Sequence, residues 1–149
     1  MINSSIISAK YLSLLESTFD CYVADWTKTT NASSIYPIFL FNLKSDRGRF
    51  IPTRVVHCLL SATTTATANI TNVGLYTTTP SIAVDSTISN SSVVISSTTI
   101  LPGSYVMATL ITAAGTSSIS AGASIGLDYS IGSTTNTVSV RTWMFGIYV

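Results

Sequence analysis

Apolar and polar positions alternate without a miss from Ile119 to Ile131. Ile119, Ala121, Ala123, Ile125, Leu127, Tyr129 and Ile131 make one set, and Ser120, Gly122, Ser124, Gly126, Asp128 and Ser130 the other. A period of two puts each set on its own side of a β-strand, so one face is expected in a core and the other wet or lightly packed. An ordinary strand runs about 5–6 residues. Gly122 and Gly126 are therefore expected to bend the run, or to divide it into a lead-in and a main strand near 124–131.

The other segments read as strands able to pack on this one, with one exception. Over 4–18, Ile7, Tyr11, Leu14, Leu15 and Thr18 recur at helical spacing behind Asn3 or Ser4 as a cap, which predicts a short N-terminal helix. Such a helix is either an arm docking on a neighbouring subunit or a helix packed on its own domain. Residues 19–26 alternate again, with Phe19, Cys21 and Val23 opposite Asp20, Tyr22 and Ala24. After a polar loop, Ile35 to Lys44 is a dense apolar strand whose Pro37 belongs near its start or on a sheet edge. Ser45-Asp46-Arg47-Gly48 is a turn, and Arg49 to Ser61 is expected to return as the second arm of a hairpin. Its middle, Val55 to Leu60, is apolar on both faces, as in a central strand. Further strands are expected at 70–78, from Val93, at 105–112 after the Leu101-Pro102-Gly103-Ser104 turn, and at 137–149. In the last, apolar parity changes at Arg141, from Val138 and Val140 to Trp143, Phe145 and Ile147, which predicts a bulge or burial on both faces. An end so aromatic is expected to be central in a sheet or covered by a neighbouring copy.

About eight short strands separated by turns in one chain of 149 residues predict an all-β, antiparallel β-sandwich. A jelly roll is the preferred topology and an immunoglobulin-like sandwich the second. The chain divides into an N-terminal helix or arm, 1–30, and a β-sandwich domain, 31–149.

Composition changes this picture in one respect. Charged residues are 9% of the chain, against about 25% in ordinary proteins, and Ser and Thr supply the polarity at nearly a third of all positions. A net charge of +1 argues against a nucleic-acid partner, which needs a dense Lys/Arg face. The same neutrality removes the repulsion that keeps copies apart and points to life in an assembly, with a Ser/Thr-rich extracellular module as the alternative. Ten of the thirteen charged residues lie at or before Arg54, so the first third is chemically distinct. No targeting segment and no run of 18 apolar residues is visible, so no membrane partner is expected. Cys21 and Cys58 lack metal or redox spacing and read as buried thiols.

The search for chemistry is nearly empty. His57 is the lone histidine and reads as a core residue with one satisfied nitrogen. Asp20 and Asp25 are a nominal pair for glycoside hydrolysis, but a solvated-face reading is preferred. Trp26, Trp143, Tyr76, Tyr105 and Tyr129 are candidates for a sugar-binding surface, although aromatics in sheets more often fill a core. No catalytic, metal or cofactor-binding residue is assigned, no cofactor is expected, and the chain is not expected to be an enzyme.

Val73-Gly74-Leu75-Tyr76-Thr77-Thr78, Leu101-Pro102-Gly103-Ser104-Tyr105-Val106-Met107-Ala108 and the terminal strand Val138 to Val149 resemble segments of the small jelly-roll virion proteins of tailed bacteriophages, a group that includes capsid decoration proteins, head fibres and tail tips. The likeness covers about half of the chain, from about residue 50. It implies a virion structural protein that binds neighbouring subunits, as a homotrimer and together with other virion proteins such as the major capsid protein. It carries no catalytic residue with it. A carbohydrate- or receptor-binding module of a phage tail or cell surface is the alternative.

Overall fold

The computed structural model of the chain describes residues 19–30, 36–63, 67–76, 88, 93–96, 102–108, 118–132 and 136–149. They form eight strands: β1 (Phe19–Thr30), β2 (Tyr36–Asn42), β3 (Phe50–Ala62), β4 (Thr67–Leu75), β5 (Val93–Ser96), β6 (Tyr105–Ala108), β7 (Ser124–Gly132) and β8 (Asn136–Tyr148). The helix expected over 4–18 lies outside the described residues. Strand β1 lies inside the segment 1–30 set apart above, and it is a full member of a sheet.

Two four-stranded sheets stack, with orders β1-β8-β3-β6 and β2-β7-β4-β5. Each strand pairs antiparallel with its counterpart from the other end of the chain: β1 with β8, β2 with β7, β3 with β6 and β4 with β5. A long hairpin gives this pattern when it is rolled over on itself, and the rolled hairpin is a jelly roll. Pairing of β3 with β8 and of β4 with β7 completes each of the two sheets. The expected antiparallel sandwich and jelly-roll path are the observed fold.

Alternation decides which side chains enter the core. Even positions of β8 point in, so Val138, Val140 and Met144 are buried with Val55 and Leu59 of β3. Across the sandwich they join Ile70 and Val73 of β4 and Ile125 and Leu127 of β7 in one cluster. Burying each such side chain contributes about 1.5–3 kcal/mol.

Three expectations are corrected. Strands β2 and β3 flank the predicted turn but lie in different sheets, so the connection crosses the sandwich instead of closing a hairpin. Both strands carry core residues, Ile38 and Leu40 on β2 and Phe50, Val55 and Leu59 on β3, and these bury each other best when the strands lie in opposite layers. The expected lead-in and main strand are met: the run turns at Gly122, at φ +73°, and β7 begins at Ser124 and runs through Gly126. On the even face of β7 Asp128 is not wet: it is fully buried and accepts a hydrogen bond from Asn72 Nδ2 at 3.1 Å. Cys21 is an exposed thiol, while Cys58 is buried as expected.

The change of apolar parity in β8 has a different cause from a bulge in that strand. Its register with β1 runs unbroken from Phe19–Ile147 to Thr30–Asn136. The irregularities lie in β3, between Pro52 and Arg54 and between Leu59 and Ser61. Strand β8 is central in its sheet, and Trp143, Phe145 and Ile147 stand on the outer face.

Candidate assembly surface

Register places four rows of side chains on the outside of the β1-β8-β3-β6 sheet. They are Phe19–Ile147–Ile51, Cys21–Phe145–Arg54, Val23–Trp143–Val56–Met107 and Asp25–Arg141–Cys58–Tyr105. This face is mostly apolar. Phe19 is 51% exposed, Val23 54%, Met107 66% and Tyr105 67%. Its rings are ordered: Phe19 stacks on Phe145 at 6.3 Å, and Tyr105 lies 5.7 Å from Trp143. Surface hydrophobics scattered singly need no explanation, but a contiguous set across four strands marks an interaction surface.

One ion pair sits on this face. Arg141 Nε and Nη2 each donate to a carboxylate oxygen of Asp25 at 2.5 Å. The hydrogen bond from Arg141 holds the Asp25 carboxyl below its ordinary range. The guanidinium also lies 5.8 Å from the centre of the Trp143 ring, a cation–π arrangement. The pair therefore makes the apolar sheet locally neutral.

The remaining candidate residues separate. Trp26 and Tyr129 are core residues 5.5 Å apart. Tyr76 lies over Gly126 on the opposite sheet, where an added Cβ would approach its ring to 2.7 Å. Only Trp143 and Tyr105 of the five aromatics come together at the surface. Asp20 forms an ion pair with Lys44 and belongs to the inward set of β1, whereas Asp25 belongs to the outward set. An odd spacing on a strand puts them on opposite faces, so they do not form a two-carboxylate site. Among the described residues no three His, Cys, Asp or Glu side chains converge.

His57 is a core residue, as expected. Its Nδ1 lies 2.9 Å from Thr142 Oγ1, which accepts the Trp26 Nε1–H at 3.1 Å. A Trp indole only donates. Thr142 Oγ1 therefore accepts from Trp26, and its role toward His57 Nδ1 follows the imidazole tautomer. The other ring nitrogen, Nε2, is buried with no hydrogen-bond partner among the described residues. Burial pushes the imidazole down to about 4. A second polar cluster locks one end of the sandwich: the hydroxyls of Tyr22 and Tyr148 share a short hydrogen bond, and both accept from the Lys44 backbone N–H, at 3.0 and 2.9 Å.

Sequence reasoning named Trp143, Phe145, Val23 and Tyr105 without assigning their face. The signal was present in the odd set of β1, where Phe19, Cys21 and Val23 are more apolar than a solvated strand requires.

No protein-family model matches the chain, and no curated protein matches it in sequence. Solved structures do. A chain of the capsid of Ralstonia phage GP4 superposes with a TM-score of 0.54 at 15% identity, over 87% of this chain and 83% of that one. A chain of the cyanophage Pam1 capsid asymmetric unit matches at 0.43 and 13% identity, over 87% and 84% of the two chains. A chain of the acid-stable capsid of Helicobacter pylori bacteriophage KHP30 matches at 0.36 and 14%, over 87% and 92%. At these identities only the fold is shared, and the chain has the fold of a chain in the Ralstonia phage GP4 capsid.

Proposed function

We propose that this chain is a structural protein of a bacteriophage virion, a capsid decoration, cement or head-fibre protein. It binds neighbouring subunits through the outer face of the β1-β8-β3-β6 sheet. The observation that carries this reading is the contiguous apolar face, on a jelly roll similar to a chain of a phage capsid. The mechanism is mechanical. Phe19, Val23, Trp143, Phe145 and Met107 lose water against a complementary surface, and the neutralised Asp25–Arg141 pair permits close approach. Self-association, in the homotrimer that the family resemblance implies, and contact with the major capsid protein both follow this logic.

Immunogold labelling of purified particles with an antibody to the chain tests the reading. Label on the capsid or its fibres is expected. Particles without label, with the protein confined to the soluble lysate, would sink it.

A second reading rests on the pair of exposed Tyr105 and half-buried Trp143, two surface rings 5.7 Å apart that offer a sugar an apolar contact. A reproducible glycan-array signal lost in Trp143→Ala would favour a carbohydrate-binding role.

A further inference from the structure

A sheet with free edges invites pairing, and proteins normally blunt such edges. Three of the four edge strands here are blunted. Strand β2 carries Pro37, which has no N–H to donate, and a register shift between Phe39 and Phe41. Among the described residues strands β5 and β6 are four residues each. Strand β1 is different. It is a twelve-residue edge strand with no proline, and its pairing with β8 has no bulge. Phe19, Cys21, Val23, Asp25, Thr27 and Lys28 are all exposed.

The backbone groups on that edge can be assigned. The Phe145 carbonyl accepts from Thr53 Oγ1 at 3.2 Å, so Phe145 turns its polar groups toward β3. Both groups of a strand residue point to one side, and the side alternates along the strand. Cys21, opposite Phe145, therefore turns its N–H and C=O away from β8. Its N–H is met at 3.0 Å by Oδ1 of the adjacent Asp20, a local stand-in for a missing strand. By alternation the groups that have no strand partner among the described residues belong to the odd positions from Phe19 to Thr29.

We infer that β1 pairs antiparallel with β1 of a second copy of this chain about a two-fold axis at Ala24, making one eight-stranded sheet. Charge sets the register. Odd positions must oppose odd ones, because only they carry outward groups. With Ala24 opposite itself, Asp20 of each copy, which also pairs with Lys44 of its own chain, faces Lys28 of the other, Cys21 faces Thr27, and Val23 faces Asp25. Lys28 has no carboxylate partner among the described residues. A shift that centres the axis on Asp25 sets two carboxylates face to face, and a centre on Val23 pairs no opposite charges. In the Ala24 register the two Asp25 side chains are diagonal neighbours, each neutralised by its own Arg141. The occupant is thus a second copy, because this edge is complementary to itself in charge and in hydrogen bonding.

The contact deepens the self-association in the proposed function and rests on that reading only for its setting in a shell. It is separate from the ring contact of a homotrimer, so it would tie one ring to the next. It also doubles the apolar outer face, with Val23, Trp143 and Phe145 of both copies on one continuous surface.

Cross-linking tests the inference. In the inferred register Cys21 of one copy and position 27 of the other form a hydrogen-bonded pair with Cα atoms about 5.5 Å apart, inside the disulfide range of roughly 4.4–6.8 Å. Within one chain the same two positions are about 20 Å apart along the strand. Thr27→Cys is therefore expected to give a covalent dimer under mild oxidation. Wild type should give none, and Thr27→Cys with Cys21→Ser should give none. Lys28→Asp, an exposed change, should lower the dimer fraction in sedimentation velocity by about fivefold. No covalent dimer from Thr27→Cys, or one that survives Cys21→Ser, would overturn the inference. Either result leaves the immunogold test of the virion reading unaffected.

Discussion

Nδ1 of His57 on β3 and Oγ1 of Thr142 on β8 lie 2.9 Å apart in the sealed core, on adjacent strands in direct register. Burial of this ring ties the fold to pH. The folded imidazole takes a proton only near pH 4, while in the unfolded chain it does so near the ordinary 6.5. Between those values the unfolded state binds more protons, so stability falls as pH drops through that window and levels off below it. The expected loss from this group is about 3 kcal/mol. Urea unfolding at pH 7, 5.5 and 4 should show the decline, and His57→Gln should flatten it.

Thr142 serves two buried partners at once. Thr142→Val keeps the shape and removes the hydroxyl, which orphans both Trp26 Nε1 and His57 Nδ1. A cost of about 2–4 kcal/mol is expected. Thr142→Ser keeps the hydroxyl and should cost about 1 kcal/mol. Equal denaturation midpoints for the two variants would contradict the role given to this hydroxyl.

Gly146 is required by space. A Cβ there would meet Phe50 Cζ at 2.3 Å and the Ile51 carbonyl oxygen at 2.4 Å, and the second contact is with backbone that cannot step aside. Gly146→Ala should destabilise by about 1–3 kcal/mol or more. Gly103→Ala offers a contrast, because nothing lies within 4 Å but φ is +89°. Its cost should be about 1 kcal/mol, from backbone strain alone. Thermal melts of the two variants separate the mechanisms.

The outer sheet face should be dispensable for folding and needed for assembly. Val23→Lys and Met107→Lys alter side chains that are 54% and 66% exposed. Each should change stability by no more than about 0.5 kcal/mol. Both should reduce incorporation of the protein into particles, measured by quantitative mass spectrometry of purified virions. Normal incorporation of the double variant would exclude this face as the docking surface.

Much of the architecture was legible in the chain. The alternation from Ile119 to Ile131, the turn chemistry at Ser45–Gly48 and Leu101–Ser104, and the position of Pro37 are local signals, and local signals survive folding. Partner choice is less local. Whether Arg49–Ser61 doubles back on Ile35–Lys44 or crosses to the other layer depends on which strands arrive beside it, and neither segment encodes that alone. The outer face was hidden for a related reason. In β8, Val140 and Trp143 are both apolar, and a period of two says that they face opposite ways without saying which way is in. Asp128 misled because a carboxylate predicts water, whereas the fold supplies Asn72 as a partner from another strand.

Phe19 lies opposite Ile147, so the first described strand joins its sheet only after residue 147 has been made. At about 5–20 residues per second, roughly 6–25 s pass on the ribosome before that neighbour exists. Phe19, Val23 and Trp26 must spend that interval without β8 beside them. Closure is a late, long-range event of the kind that folds in milliseconds to seconds. Nascent chains stalled before β8 should therefore be the species most in need of a chaperone, and among the most readily digested by protease.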